Sequence, residues 1–277
     1  MTVVVVTDGS SRLPADLLEK SAIRLVPLHI LLDGHDLRDG LDEIPDDIDK
    51  RHATTAAATP AELANAYQQA LADSGGDGVV AVHISSALSG TYGNAERTAA
   101  DLDPNVRVID SKSAAMGTGF VALAAARAAA AGDDLDTVAR AASSAVSRGR
   151  AFVVVHRLDN LRRSGRIGGP QAWLGTALAL KPLLRMDDGK LVLAQRVRTV
   201  SAATTAMIDR VCEVVGEGSA ALAVHHVANP DGAKEVAAAL AQRLPQCEAA
   251  IVTPLGPVLA LHVGAGAVGV CLELAAP

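Results

Sequence analysis

Residues 3–6 are four consecutive valines, and they run directly into Thr7-Asp8-Gly9-Ser10-Ser11. In an extended chain successive side chains point to opposite faces, so an unbroken β-branched run needs apolar cover on both sides. It predicts a buried strand followed by a polar loop. Leu13-Pro14 then opens a helix, because proline suits the first helical turn. Apolar runs recur at 23–32, 78–84 and 106–109, and helical patterns occupy 60–72, 91–102 and 113–131. Strands alternating with helices predict an α/β architecture with a largely parallel sheet.

Gly132-Asp133-Asp134 separates two alanine-rich helices, the second reaching about residue 146. After Arg148-Gly149-Arg150 a second series begins. It has a strand at 151–155, helical segments within 158–180 and an apolar run at 182–186. Asp187-Asp188-Gly189-Lys190 is a turn signal between two apolar runs and predicts a hairpin. A helix at 202–215, a strand at 220–224, a helix at 233–243 and a strand at 249–252 follow. The glycine-rich end, 256–272, predicts a short helix and a last strand. With 277 residues, these two series divide the chain into domains 1–149 and 150–277.

Composition removes several classes of function. Net charge is -6, and there are one Trp, two Tyr and two Phe. A nucleic-acid surface needs a basic footprint and stacking rings, so that reading is disfavoured. Cys212, Cys247 and Cys271 are widely spaced with no CxxC pair, as expected of small buried groups in a reducing compartment. The start lacks the basic segment of a signal peptide, and the longest apolar stretch is broken by Arg127. A cytoplasmic protein without stable membrane insertion is expected. No His or carboxylate cluster has metal-ligand spacing, and no P-loop, GxGxxG or GxSxG is present.

Four groups of residues could carry chemistry. Ser85-Ser86-Ala87-Leu88-Ser89-Gly90-Thr91 joins a predicted strand to a predicted helix, where free N–H groups and hydroxyls favour an anion. Ser89 or Thr91 is equally a plain helix cap. Thr54-Thr55-Ala56-Ala57-Ala58-Thr59-Pro60 has a natural cap in Thr59 and leaves the Thr55 hydroxyl free on a slim loop. His262 lies in an apolar glycine-rich segment and reads either as a core histidine or as a partner for a carboxylate or phosphate. His83 and His225-His226 are weaker candidates. Among the basic residues, Arg166 stands in the glycine-bounded turn Ser164-Gly165-Arg166-Ile167-Gly168, which suggests a fixed position.

The chain resembles the DegV family from its first strand to its last. The resemblance is carried by Thr7-Asp8-Gly9-Ser10, Ser86 through Tyr92, Ile109-Asp110-Ser111 and Leu158 through Ile167. Lys181-Pro182-Leu183-Leu184, Val197-Arg198-Thr199 and Gly256 through His262 to Gly264 complete it. It implies a two-domain α/β fold, each domain a sheet flanked by helices, with one long-chain fatty acid held between the domains. It also implies a carrier and not a catalyst, presenting the acid to a separate fatty acid kinase that forms an acyl phosphate. By position the carboxylate-binding residues fall on Thr55, Ser89 with Gly90, and His262, and the kinase-docking arginines on Arg166 and Arg198. Where the family commonly has Thr-Ser-Gln-Pro this chain has Thr55-Ala56-Ala57-Ala58, which leaves Thr54 and Thr59 as alternatives to Thr55. No cofactor is implied. The competing reading is a hydrolase using Ser89 as nucleophile and His262 as base, for which no third partner is visible.

Overall fold

The computed structural model describes residues 2–45, 47–48, 51–167 and 181–276. The valine run forms β1 (Val4–Asp8), a central strand. It lies in a four-stranded sheet of order β2-β1-β6-β7, with β2 Arg24–Val26, β6 Val79–His83 and β7 Val106–Asp110. Every pairing in this sheet is parallel. Both faces are covered, as the run demands. Val6 packs with Leu63, Tyr67, Ala95 and Ala99 of α2 (Pro60–Ser74) and α3 (Thr91–Leu102). Val3 and Val5 pack with α4 (Met116–Ala130) and α5 (Leu135–Arg148).

The apolar run at 23–32 divides between two strands. Pro27 has no N–H to give a ladder, and β2 stops at Val26. The chain then forms β3 (His29–Leu32), which pairs antiparallel with β4 (His35–Arg38) and β5 (Thr54–Ala56). A short helix α1 (Ala15–Lys20) follows Pro14.

At Gly149 the chain enters a six-stranded sheet of order β10-β9-β8-β13-β11-β12. Its strands are β8 Gly149–Val154, β9 Lys181–Asp187, β10 Lys190–Val197, β11 Ala220–His226, β12 Ile251–Pro254 and β13 Val268–Leu274. The largely parallel expectation fails here, because only β11 and β12 run parallel. Two features decide this. The β9–β10 link is a two-residue turn with Asp188 at φ 44 and Gly189 at φ 78, which forces an antiparallel pair. The last strand inserts antiparallel between β8 and β11.

Helices α7 (Val200–Val215) and α8 (Pro230–Arg243) cover one face of this sheet through Met207, Val211, Val236 and Leu240. Its other face meets α4, since Ala223 and Cys271 belong to the same core cluster as Val5, Phe120 and Ala125. The helices α4 and α5 therefore form one layer shared by the two large sheets. Two short helices complete the description: α6 (Asp159–Arg163) and α9 (Pro257–Val263). The helical expectation for 168–180, and Gly168 with it, lies outside the described residues. Among the described residues no helix is long and apolar enough to cross a membrane.

Candidate functional site

The site is built where short elements end. β5 presents Thr55, which is half-buried, while Thr54 is exposed. Thr59 is committed elsewhere: it caps α2 and exchanges hydrogen bonds with Glu62 in a capping box. Pro257 begins α9, whose last turn carries His262. Thr55 Oγ1 and His262 Nε2 lie 2.9 Å apart, joining residues 207 positions distant in the chain.

The serine loop supplies less than its four hydroxyls promise. Ser85 is buried, and its Oγ donates to the Gly189 carbonyl at 2.8 Å. Ser86 Oγ donates to Asp110 Oδ2 at 2.6 Å. Gly90 occupies the cap position of α3 and has no side chain to cap with. Ser89 Oγ instead accepts from the Thr91 N–H at 3.2 Å and pairs with Thr91 Oγ1 at 2.9 Å. Only Ser89 and Gly90 of the group reach the cavity described next, together with Leu88.

Arg166 is fixed by the way α6 ends. Gly165 adopts φ 70, and the Arg166 N–H reaches back to the Leu161 carbonyl at 3.0 Å, a glycine-terminated helix end. The guanidinium then donates to the Leu88 carbonyl at 3.2 Å and to the Ser164 carbonyl. Arg198 is exposed and is not among the residues that line this site.

Thr55, Ser89, Gly90, Arg166 and His262 meet at a cavity of about 1050 Å³, its open mouth included. Most of its remaining wall is apolar, with Ile84, Phe152, Val153, Leu259 and Val263 among the lining residues. A neighbouring polar basin is lined by Arg51, His52, Asn160 and Arg163, and it shares Thr55, Arg166 and His262 with the cavity. Burial, with the Arg166 charge, pushes the His262 imidazole down to about 4. It is neutral near pH 7, and its Nδ1 is buried without a hydrogen-bond partner.

Ser89 and His262 are each bonded to a different threonine, and no acid orients the His262 ring. The serine–histidine–acid chain of a hydrolase is therefore not assembled among the described residues. His83 belongs to a buried structural relay. Its Nδ1 meets Asp8 Oδ2 at 3.0 Å, and its Nε2 meets the Tyr67 hydroxyl at 2.7 Å. Burial raises the Asp8 carboxyl, but the bonds from His83, Ser10 and Ile84 outweigh this and hold it below its ordinary value. The relay fixes the strand ends from which the serine loop starts. His226 accepts from the Asn229 N–H and does not line the cavity.

His225, a weaker candidate in the sequence, does line the cavity, whereas the lining residues Met186 and Cys271 were not singled out as site residues. The Met116 N–H donates to His225 Nε2 at 3.1 Å, and burial with the Arg12 charge pushes this histidine down to about 3. For Cys271 the sequence signal was alternation, since Gly269 and Cys271 are two apart on one strand face.

The DegV family model matches residues 2–275. The chain belongs to the DegV family. A DegV domain-containing protein of Mycobacterium tuberculosis is 78% identical over 276 residues, covering 100% of this chain and 99% of that one. A DegV family protein from Thermus thermophilus, described as fatty acid binding, superposes with TM-score 0.90 at 31% identity, covering 99% of this chain and 100% of its own. Bacillus subtilis DegV, described as a fatty acid binding protein, gives TM-score 0.89 at 27% identity, with 99% and 100% covered.

Proposed function

We propose that this DegV protein holds one long-chain fatty acid, with its carboxylate at Thr55, Ser89, Gly90 and His262 and its tail in the apolar cavity. The observation that carries the reading is the cavity itself, where Thr55, Arg166 and His262 stand at its junction with the basin and most of the remaining wall is apolar. The fatty-acid-binding relatives of the same fold support it. Each buried methylene stabilises by about 0.8 kcal/mol, so a buried tail of roughly 14 methylenes has a ceiling of ~11 kcal/mol. A hydrogen bond to a charged group nets about 1.5–3 kcal/mol. The tail therefore supplies affinity, and the polar cluster decides which end of the ligand sits there. In this reading the site falls between the halves 1–149 and 150–277. The first gives Thr55 and Ser89, and the second gives His262, Arg166 and Arg198. The protein acts as a carrier that presents the carboxylate to a fatty acid kinase, docked through Arg166 and Arg198.

Mass spectrometry of lipids extracted from the purified protein tests the reading, with a fatty acid expected. Competition between that acid and its methyl ester tests the head-group site. The ester is expected to bind more weakly to the wild type, and Ser89→Ala or His262→Ala to shrink that difference. Equal affinity of the wild type for acid and ester refutes the assignment. In the same binding assay Arg198→Ala should retain the acid while lowering its phosphorylation by a DegV-partner kinase, and Arg166→Ala, whose side chain lines the cavity, should lower phosphorylation by more than it weakens acid binding; loss of acid binding in Arg198→Ala rejects the docking role.

A further inference from the structure

We propose that Met186, with Ala151 beside it, is the wall that sets the longest acyl chain this protein accepts, an inference that rests on the fatty-acid reading above. A second hollow, of about 920 Å³ with its open mouth included, borders the apolar cavity. Among the described residues the two share Ala151 and Met186 as lining and nothing else. The polar basin meets the cavity through Thr55, Arg166 and His262, none of which lines the second hollow. The second hollow therefore abuts the cavity at lining residues other than those of the Thr55–His262 pair.

The two sides of this wall differ in chemistry. Toward the cavity stand Phe152, Val153 and Leu191. Toward the hollow stand Lys112, Arg150, Arg185, Asp187 and Asp188. Lys112 pairs with Asp110 and Asp188, and Arg185 with Asp187, so these charges are held in place. Methionine is unbranched and has three rotatable side-chain bonds, whereas Ala151 offers a single methyl. The backbone that carries Met186 is fixed, because the adjoining hairpin tip is tied by the Ser85 Oγ to Gly189 carbonyl bond. A rigid strand thus bears an adaptable plug between an apolar space and a charged one.

A methylene inside the cavity tightens binding about fourfold. One pushed past Met186 meets Lys112, Arg150 and Arg185 and gains nothing. Affinity should climb with chain length and stop climbing where the chain reaches the wall.

The experiment is displacement of a fluorescent fatty acid by saturated acids of about ten to about twenty-two carbons. It compares the wild type with Met186→Ala, Met186→Leu and Ala151→Leu. The wild type should gain about fourfold per carbon up to a break. Met186→Ala removes three heavy atoms and should move the break about two carbons or more toward longer acids. Ala151→Leu should move it toward shorter acids, and Met186→Leu should leave it near the wild-type position. A break at the same length in wild type and Met186→Ala overturns the proposal, and this comparison decides it even where Ala151→Leu does not fold. A wild type that binds no acid of any length overturns the fatty-acid reading and the wall with it.

Discussion

His225, buried, and His262, half-buried, are held as neutral rings, and this gives each a thermodynamic signature. Their unfolded values lie near 6.5, and their folded values lie at about 4 and about 3. Between those limits the unfolded chain binds more protons than the folded one, so their contribution falls as pH drops below about 6.5. Asp8 acts in a separate window. Its carboxyl is held below 3.8, so the stability it adds is lost only in stronger acid. His29 opposes the trend. Burial lowers it, but Glu62 and Asp36 outweigh this and raise it, so its contribution is present in acid and is lost as pH rises through its folded value. The clean readout is therefore a difference of differences. Urea midpoints at about pH 7 and about pH 5 should differ less in His262→Gln than in the wild type, by up to about 2 kcal/mol. Equal differences would mean that His262 does not carry the pH dependence. Arg166 faces His262 from the turn that follows α6 and favours the neutral ring. A bound carboxylate beside them would oppose that push, so the acid should shift the His262 titration upward.

The β9–β10 hairpin does two things at once: it extends the six-stranded sheet and it ties down the serine loop. The tie is the bond from Ser85 to the Gly189 carbonyl, and its partners sit in the two halves of the chain. Ser85→Ala leaves that buried carbonyl unpaired and should destabilise by about 1–3 kcal/mol. Gly189→Ala should cost more, because φ is +78° and the added Cβ would lie 2.3 Å from Ser85 Oγ. Urea unfolding checks the order, and an alanine at 189 that costs less than one at 85 contradicts it. This hairpin was legible in advance, because Asp188-Gly189 between apolar runs has a local cause. So was α3, whose observed limits, Thr91–Leu102, match the helical pattern. The antiparallel order of the second sheet was not legible. β13 is mostly buried along its length, and such a strand carries no mark of its neighbours' direction. Nor could local pattern say that Ser85 and Ser86 would be spent on Gly189 and Asp110, or that Thr55 would meet His262. Those partners are chosen by tertiary contact, and resemblance alone placed Thr55 and His262 together.

At the scale of the molecule the two sheets are joined and not merely adjacent. The core that holds Val3 and Val5 also holds Ala223 and Cys271, with α4 between them. A division at 149/150 falls just inside β8, leaving Gly149 with the first half, and cuts through that core. Calorimetry of the whole chain should show one cooperative transition, and a fragment ending at residue 149 should melt without one, because its α4 would lack its second partner. A fragment with a sharp transition of its own would show that the shared layer is dispensable. The same layer has a consequence during synthesis. α5 is complete at Arg148, but β13 ends only at Leu274. At about 5–20 residues per second, the far side of α4 waits on the order of 6–25 s for the strand that covers it. Through that interval the nascent chain displays an alanine-lined apolar strip to solvent, and it is there that a chaperone would find its client.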